Sequence, residues 1–136
     1  MRIFILLLTL TFSCFADETL WVTNLDEPIK AIKKSIDPSK QSQTDLTISH
    51  NNLAFLYNAK LKILYAEVVA SLKTHEEISV LKKEQTEWLN SRTKKFSAIS
   101  KESGSMAPML AAIEHIKITK ARILVLKKRN YVVGRF

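Results

Sequence analysis

From about residue 44 to residue 128, apolar residues recur three and four apart, and the rhythm breaks at two places, Lys73-Thr74 and Ser103-Gly104-Ser105. That spacing is the period of a helix face, so the breaks divide the run into three long helices. Two Gly and three Pro in 136 residues are too few for the turns of a sandwich or barrel. The expected fold is all-α: an antiparallel three-helix bundle with a small N-terminal element packed across it. Hydrophobic residues make up 46% of the chain, enough for one real core and unlike a disordered composition. There is no repeat of fixed period.

The first long helix is expected to start at Thr44 or Asp45, one of them its N-cap, and to run to about Lys73. Ala54, Tyr57, Leu61, Leu64 and Val68 form its seam, widened by Leu53, Leu56 and Ile63. Thr74 and Glu77 have the spacing of a capping box, which starts the second helix near Glu76 and carries it to about Ser100. So short a connection makes the two helices antiparallel neighbours, or nearly continuous through a kink. Gly104 is free to take a positive φ. Ser105 then caps the third helix, with Pro108 in its first turn, where no backbone donor is lost.

Residues 1–16 read as a signal peptide. Arg2 is the basic start, Ile3 to Phe12 the apolar run, and Ser13-Cys14-Phe15-Ala16 the small-residue end. The run is too short for a permanent membrane span. Lipid attachment at Cys14 is the lesser expectation, since Thr11 stands where Leu is usual. The implied location is the periplasm or outside the cell. Residues 17–43 form an N-terminal extension and linker. Within it Leu20-Trp21-Val22 is a short extended piece or a hydrophobic plug, Ile29 to Ile36 a short helix, and the segment from Pro38 to Gln43 a link. Residues 44–128 are the helical domain, and 129–136 a basic tail.

Formal net charge is +8, from 21 basic and 13 acidic residues. Loss of Arg2 with the leader lowers it to +7. No acid follows Glu114, whereas Lys117, Lys120, Arg122, Lys127, Lys128, Arg129 and Arg135 do. A nucleic-acid partner does not fit the exported compartment. An anionic lipid or cell-wall surface does, through Lys127, Lys128 and Arg129, where charge mixes with apolar residues.

On the second helix Ile78, Leu81, Gln85, Trp88, Arg92 and Ile99 share one seam. A buried Gln or Arg costs free energy unless partnered. Seam spacing therefore favours a structural polar network of Gln85, Trp88 and Arg92, with Arg92 held by a carboxylate such as Glu67. The functional alternative is a groove that uses Trp and Arg as binding anchors.

Leu61 with Tyr65, then Gln85, Trp88, Leu89 and Arg92, then Gly104-Ser105-Met106-Ala107-Pro108-Met109, and finally Thr119 with Arg122 give the chain a family likeness. From about Thr44 to Lys128 it resembles the LprI N-terminal-domain family, small exported helical domains named after a lysozyme inhibitor. The resemblance implies a non-catalytic protein whose partner is a lysozyme or other muramidase. It makes the loop at Lys101, Ser103, Gly104, Ser105 and Met106 the natural element to enter a cleft. Family members usually carry cysteines where this chain has Phe96 and about Ile113. The resemblance thus implies a disulfide-free branch in which those two residues meet as an apolar pair.

Enzymatic chemistry finds no support in the residues. His50, His75 and His115 are far apart with no metal-ligand spacing, so no metal and no cofactor is expected. No nucleophile motif or phosphate loop is present. Glu84 and Glu87, beside Lys82 and Lys83, read as a solvated charged face.

Overall fold

The computed structural model describes residues 24–102 and 104–133, with the side chains of residues 100, 102 and 130–133 not described. The expected signal peptide with Cys14, the Leu20-Trp21-Val22 segment, Ser103 and the last three residues of the expected tail lie outside the described residues.

Four helices make up the fold, with no strand among the described residues: α1 (Asp26–Ser35), α2 (Gln43–Ser71), α3 (His75–Glu102) and α4 (Ala107–Val133). A short 3-10 turn, Gly104–Met106, leads into α4. The expected all-α architecture is the observed one.

Local chemistry sets each boundary. α1 begins three residues before the expected Ile29, with Asp26 and Glu27 in its first turn and Lys33 and Lys34 in its last. Those charges complement the helix dipole. The N-cap of α2 is Ser42 rather than Thr44 or Asp45. Asp45 serves instead as the reciprocal partner of a capping box: its amide donates to Ser42 Oγ at 3.2 Å, and its carboxylate accepts from the Ser42 amide at 3.3 Å. The box at Thr74 and Glu77 forms as expected, with the Glu77 amide donating to Thr74 Oγ1 at 3.2 Å. Gly104 takes φ +55°, the left-handed backbone that ends α3. Gln43 Nε2 donates to the Ser105 carbonyl at 3.2 Å, tying this loop to the start of α2.

Helix directions follow from side-chain pairs. Arg92 on α3 meets Asn58 on α2, well back from the connection, so α2 and α3 are antiparallel. Glu84 meets Arg129 and Arg92 meets His115, which makes α3 and α4 antiparallel too. The closely packed pair is α2 with α4, which run parallel. α3 packs on α4 and stands off from α2, which leaves room between those two helices. α1 lies against α2.

One core joins these elements: Ile29 of α1, Leu53, Tyr57, Leu61, Leu64 and Val68 of α2, Leu81 of α3, and Ile123 and Leu126 of α4. Each fully buried side chain stabilises the fold by roughly 1.5–3 kcal/mol. The whole expected α2 seam is buried. α3 contributes Leu81 as its fully buried residue among those described.

Phe96 reaches α4, but its partner is not Ile113. Its ring lies 5.0 Å from that of His115, whereas Ile113 is 39% exposed. Two residues apart on a helix point in different directions, so His115 and Ile113 cannot both face Phe96.

Candidate functional site

Trp88 is the hub of a cluster that draws on three helices. The Arg92 guanidinium carbon lies 4.7 Å from the Trp88 ring centroid, and that of Arg122 lies 6.0 Å from it. Both distances suit cation–π attraction. Arg92 sits one turn beyond Trp88 on α3, and Arg122 reaches it from α4.

Each guanidinium is held by neutral groups. Arg92 Nη1 donates to Asn58 Oδ1 at 3.1 Å and to His115 Nε2 at 3.2 Å. The second bond requires His115 to be unprotonated at Nε2. Burial, and then the charge of Arg92, push the His115 pKa below its ordinary value, which favours that neutral form. Arg122 Nε donates to Gln85 Oε1 at 3.0 Å. Arg122 is 8% exposed, and its Nη2 has no partner among the described residues. The Thr119 hydroxyl, fully buried, is in the same position. Neither Arg92 nor Arg122 forms an ion pair with a described carboxylate.

Glu67 does not hold Arg92. It is exposed and borders a separate recess with Asp26, Lys60 and Lys127. The geometry of α2 explains this: Glu67 is nine residues beyond Asn58, about two and a half turns, and so faces the other way. Asn58 therefore takes the role foreseen for a carboxylate.

In the space between α2 and α3 there is a groove of about 340 Å³. Asn58, Leu61, Lys62 and Tyr65 line it from α2, and Gln85, Leu89 and Arg92 from α3. Among the described residues no acidic side chain lines it. The polar network and the groove are thus not alternatives, because Gln85 and Arg92 belong to both.

The other sequence-derived candidates lie elsewhere. Lys101, Gly104, Ser105 and Met106 are exposed at the α3–α4 connection. At the far end of the molecule Lys127 and Lys128 are exposed, while Arg129 is half-buried and pairs with Glu84 at 2.7 Å. Lys128 and Arg129 rim an apolar groove of about 580 Å³ lined by Val68, Leu72, Val80 and Leu81, with Glu76 and Glu77 on the same rim. Among the described residues there is no group of His, Cys, Asp and Glu that could hold a metal ion, and no helix is long and apolar enough to cross a membrane.

Sequence reasoning did not single out Asn58, Lys62 or His115 for the site. A signal for each was present. Asn58, Leu61, Lys62 and Tyr65 share one face at spacings of three, four and seven, and His115, Thr119 and Arg122 share another.

Leu61, Tyr65, Gln85, Trp88, Leu89, Arg92 and Arg122 therefore converge on one cluster and one groove, although they are spread over three helices. No curated protein and no solved structure matches the chain. A family match does exist, described as lysozyme inhibitor LprI, and it spans residues 35–126, which takes in α2, α3, the Gly104 turn and most of α4. The chain belongs to the LprI family.

Proposed function

We propose that this is an exported, non-catalytic binding protein of the bacterial envelope that inhibits a lysozyme-type muramidase. The observation that carries the reading is the family match across the three long helices. Inhibition by occlusion needs a rigid scaffold and a projecting loop, and no reacting group. The α3–α4 connection suits that role. Lys101, Gly104, Ser105 and Met106 are exposed there, the flanking helices are long, and Gln43 anchors the turn. Residues 1–16 act as the leader that takes the chain to the periplasm or beyond. Lys101 approaches the acidic cleft of the enzyme, and Gly104 and Ser105 allow close backbone approach. The test is stoichiometric titration of a muramidase with the chain from residue 17 onward. Loss of activity that saturates at a fixed ratio supports the reading. Unchanged activity at large excess, across enzymes of acidic and basic surface, refutes it.

A second reading rests on a different observation. The apolar groove beside Val68, Leu72 and Val80 has Lys128 on its rim and Lys127 nearby. That pairing of apolar space and cations suits an anionic lipid. Against it, Glu76 and Glu77 share the rim and Arg129 is engaged by Glu84. Salt-sensitive binding to anionic vesicles distinguishes this reading from a salt-insensitive protein complex.

A further inference from the structure

Buried or half-buried guanidinium groups are ordinarily matched by carboxylates, because an uncompensated charge removed from water is costly. Arg92 and Arg122 break that rule together. They flank one tryptophan, their recorded acceptors are neutral, and no described carboxylate lies within ion-pair distance of either. Glu84 is the acid whose charge acts on Arg122, and its carboxylate is committed to Arg129. The groove beside them adds Lys62 and is lined by no acid among the described residues.

We propose that the groove between α2 and α3 is a binding site for a carboxylate, held by Arg92 and Lys62 with Arg122 behind the wall. Arg92 lines the groove and spends Nη1 on Asn58 and His115, so the rest of its fork is available. Arg122 stands behind Gln85, which it bonds, and close to Tyr65, both of them groove residues. Its unpartnered Nη2 supplies a further donor once the Gln85 side chain shifts. A planar carboxylate accepts two parallel bonds from one guanidinium fork. The apolar walls, Leu61 and Leu89, suit the carbon stem behind it, where a phosphate would have oxygens left facing leucine. At about 340 Å³ the space fits an acidic side chain or a small carboxylic acid rather than a polymer. This site goes beyond the muramidase reading and stands or falls separately from it.

Trp88 reports on the site from within. A Trp21→Phe variant of the full chain leaves Trp88 as its single tryptophan. Titrating it with N-acetylglutamate α-amide, whose single carboxylate is on the side chain, should change Trp88 fluorescence saturably, and N-acetylglutamine α-amide, nearly the same shape with no charge, should not. Arg92→Lys keeps the charge but loses the fork. It should weaken binding about tenfold or more, the equivalent of one charge-assisted hydrogen bond. Lys62→Ala lies on the groove's outer wall and should also weaken binding without a change in melting temperature. A short peptide with a central glutamate that binds more tightly than the free acid identifies the source as a partner's side chain, and equal affinity identifies a free acid. The proposal is overturned if N-acetylglutamine α-amide or inorganic phosphate gives the same response as N-acetylglutamate α-amide, or if no acid changes the signal.

Discussion

Arg92 donates to Asn58 across 34 residues of sequence, at 3.1 Å. This bond spans the gap between α2 and α3, whose backbones stand apart. The hydrogen bond, the His115 contact and the Trp88 stack together hold α3 in register with its two neighbours.

The first prediction follows from the neutrality of those partners. Loss of Arg92 leaves an amide and an imidazole unpaired, not a buried carboxylate. Arg92→Ala should therefore cost about 1–3 kcal/mol, the range for a hydrogen bond to a charged group with its cation–π contact, rather than the larger loss that follows breaking a buried ion pair. Urea unfolding measures the difference. A loss of about 5 kcal/mol would point to a carboxylate partner after all.

His115 sets an acid limit on stability. Its folded pKa is depressed, first by burial and then by Arg92, so the unfolded chain binds the proton more readily. Its contribution is fully present above about pH 6.5, the unfolded value, and is lost as pH falls below that. Protonation also removes the acceptor that Arg92 uses. The melting temperature should drop as pH falls below about 6.5, and His115→Gln should flatten that part of the profile. An unchanged slope in the variant would place the acid sensitivity elsewhere.

Thr119 offers a stabilising change. Its hydroxyl is fully buried with no partner among the described residues. Thr119→Val keeps the shape and removes the polar atom, and should raise stability by about 1 kcal/mol. Chemical denaturation decides this, and a destabilised variant would mean the hydroxyl is bonded.

Helix boundaries carry a fourth expectation. Thr74→Ala removes the side chain that accepts the Glu77 amide bond at the start of α3, and should cost about 0.5–2 kcal/mol. Glu77 loses its bond to the Thr74 hydroxyl in the same variant. Its carboxyl pKa is held low, chiefly by the Thr74 backbone amide and then by that hydroxyl, so it should rise toward the ordinary glutamate range. NMR titration of Glu77 reads this directly, and an unmoved pKa would count against the box.

The helices were legible because their apolar spacing is dictated by burial, and burial decides it here: Ala54, Tyr57, Leu61, Leu64 and Val68 all face the core. The cap of α2 was displaced by two or three residues because Asp45 fits either end of a capping box, and the sequence does not say which. The polar cluster was legible in part. Gln85, Trp88 and Arg92 share a face of one helix, which spacing reveals, whereas their partners Asn58, His115 and Arg122 come from other helices. Glu67 was the wrong partner because charge suggested it while helical phase excluded it. Phe96 packs against the last helix, as the family likeness implies, but on His115, two residues from Ile113.

Inhibition by binding is tested by titrating the protein against muramidases of opposite surface charge. The chain's net charge, +8 as it stands and +7 from residue 17 onward, repels a basic enzyme at long range and attracts an acidic one. Activity should be measured at about 20 and 150 mM salt, where the screening length differs severalfold. The acidic enzyme should be inhibited stoichiometrically, and the basic one weakly, with inhibition that improves as salt rises. Tight inhibition of the basic enzyme that weakens with salt would contradict the charge argument, and no inhibition of either at large excess would contradict the function itself.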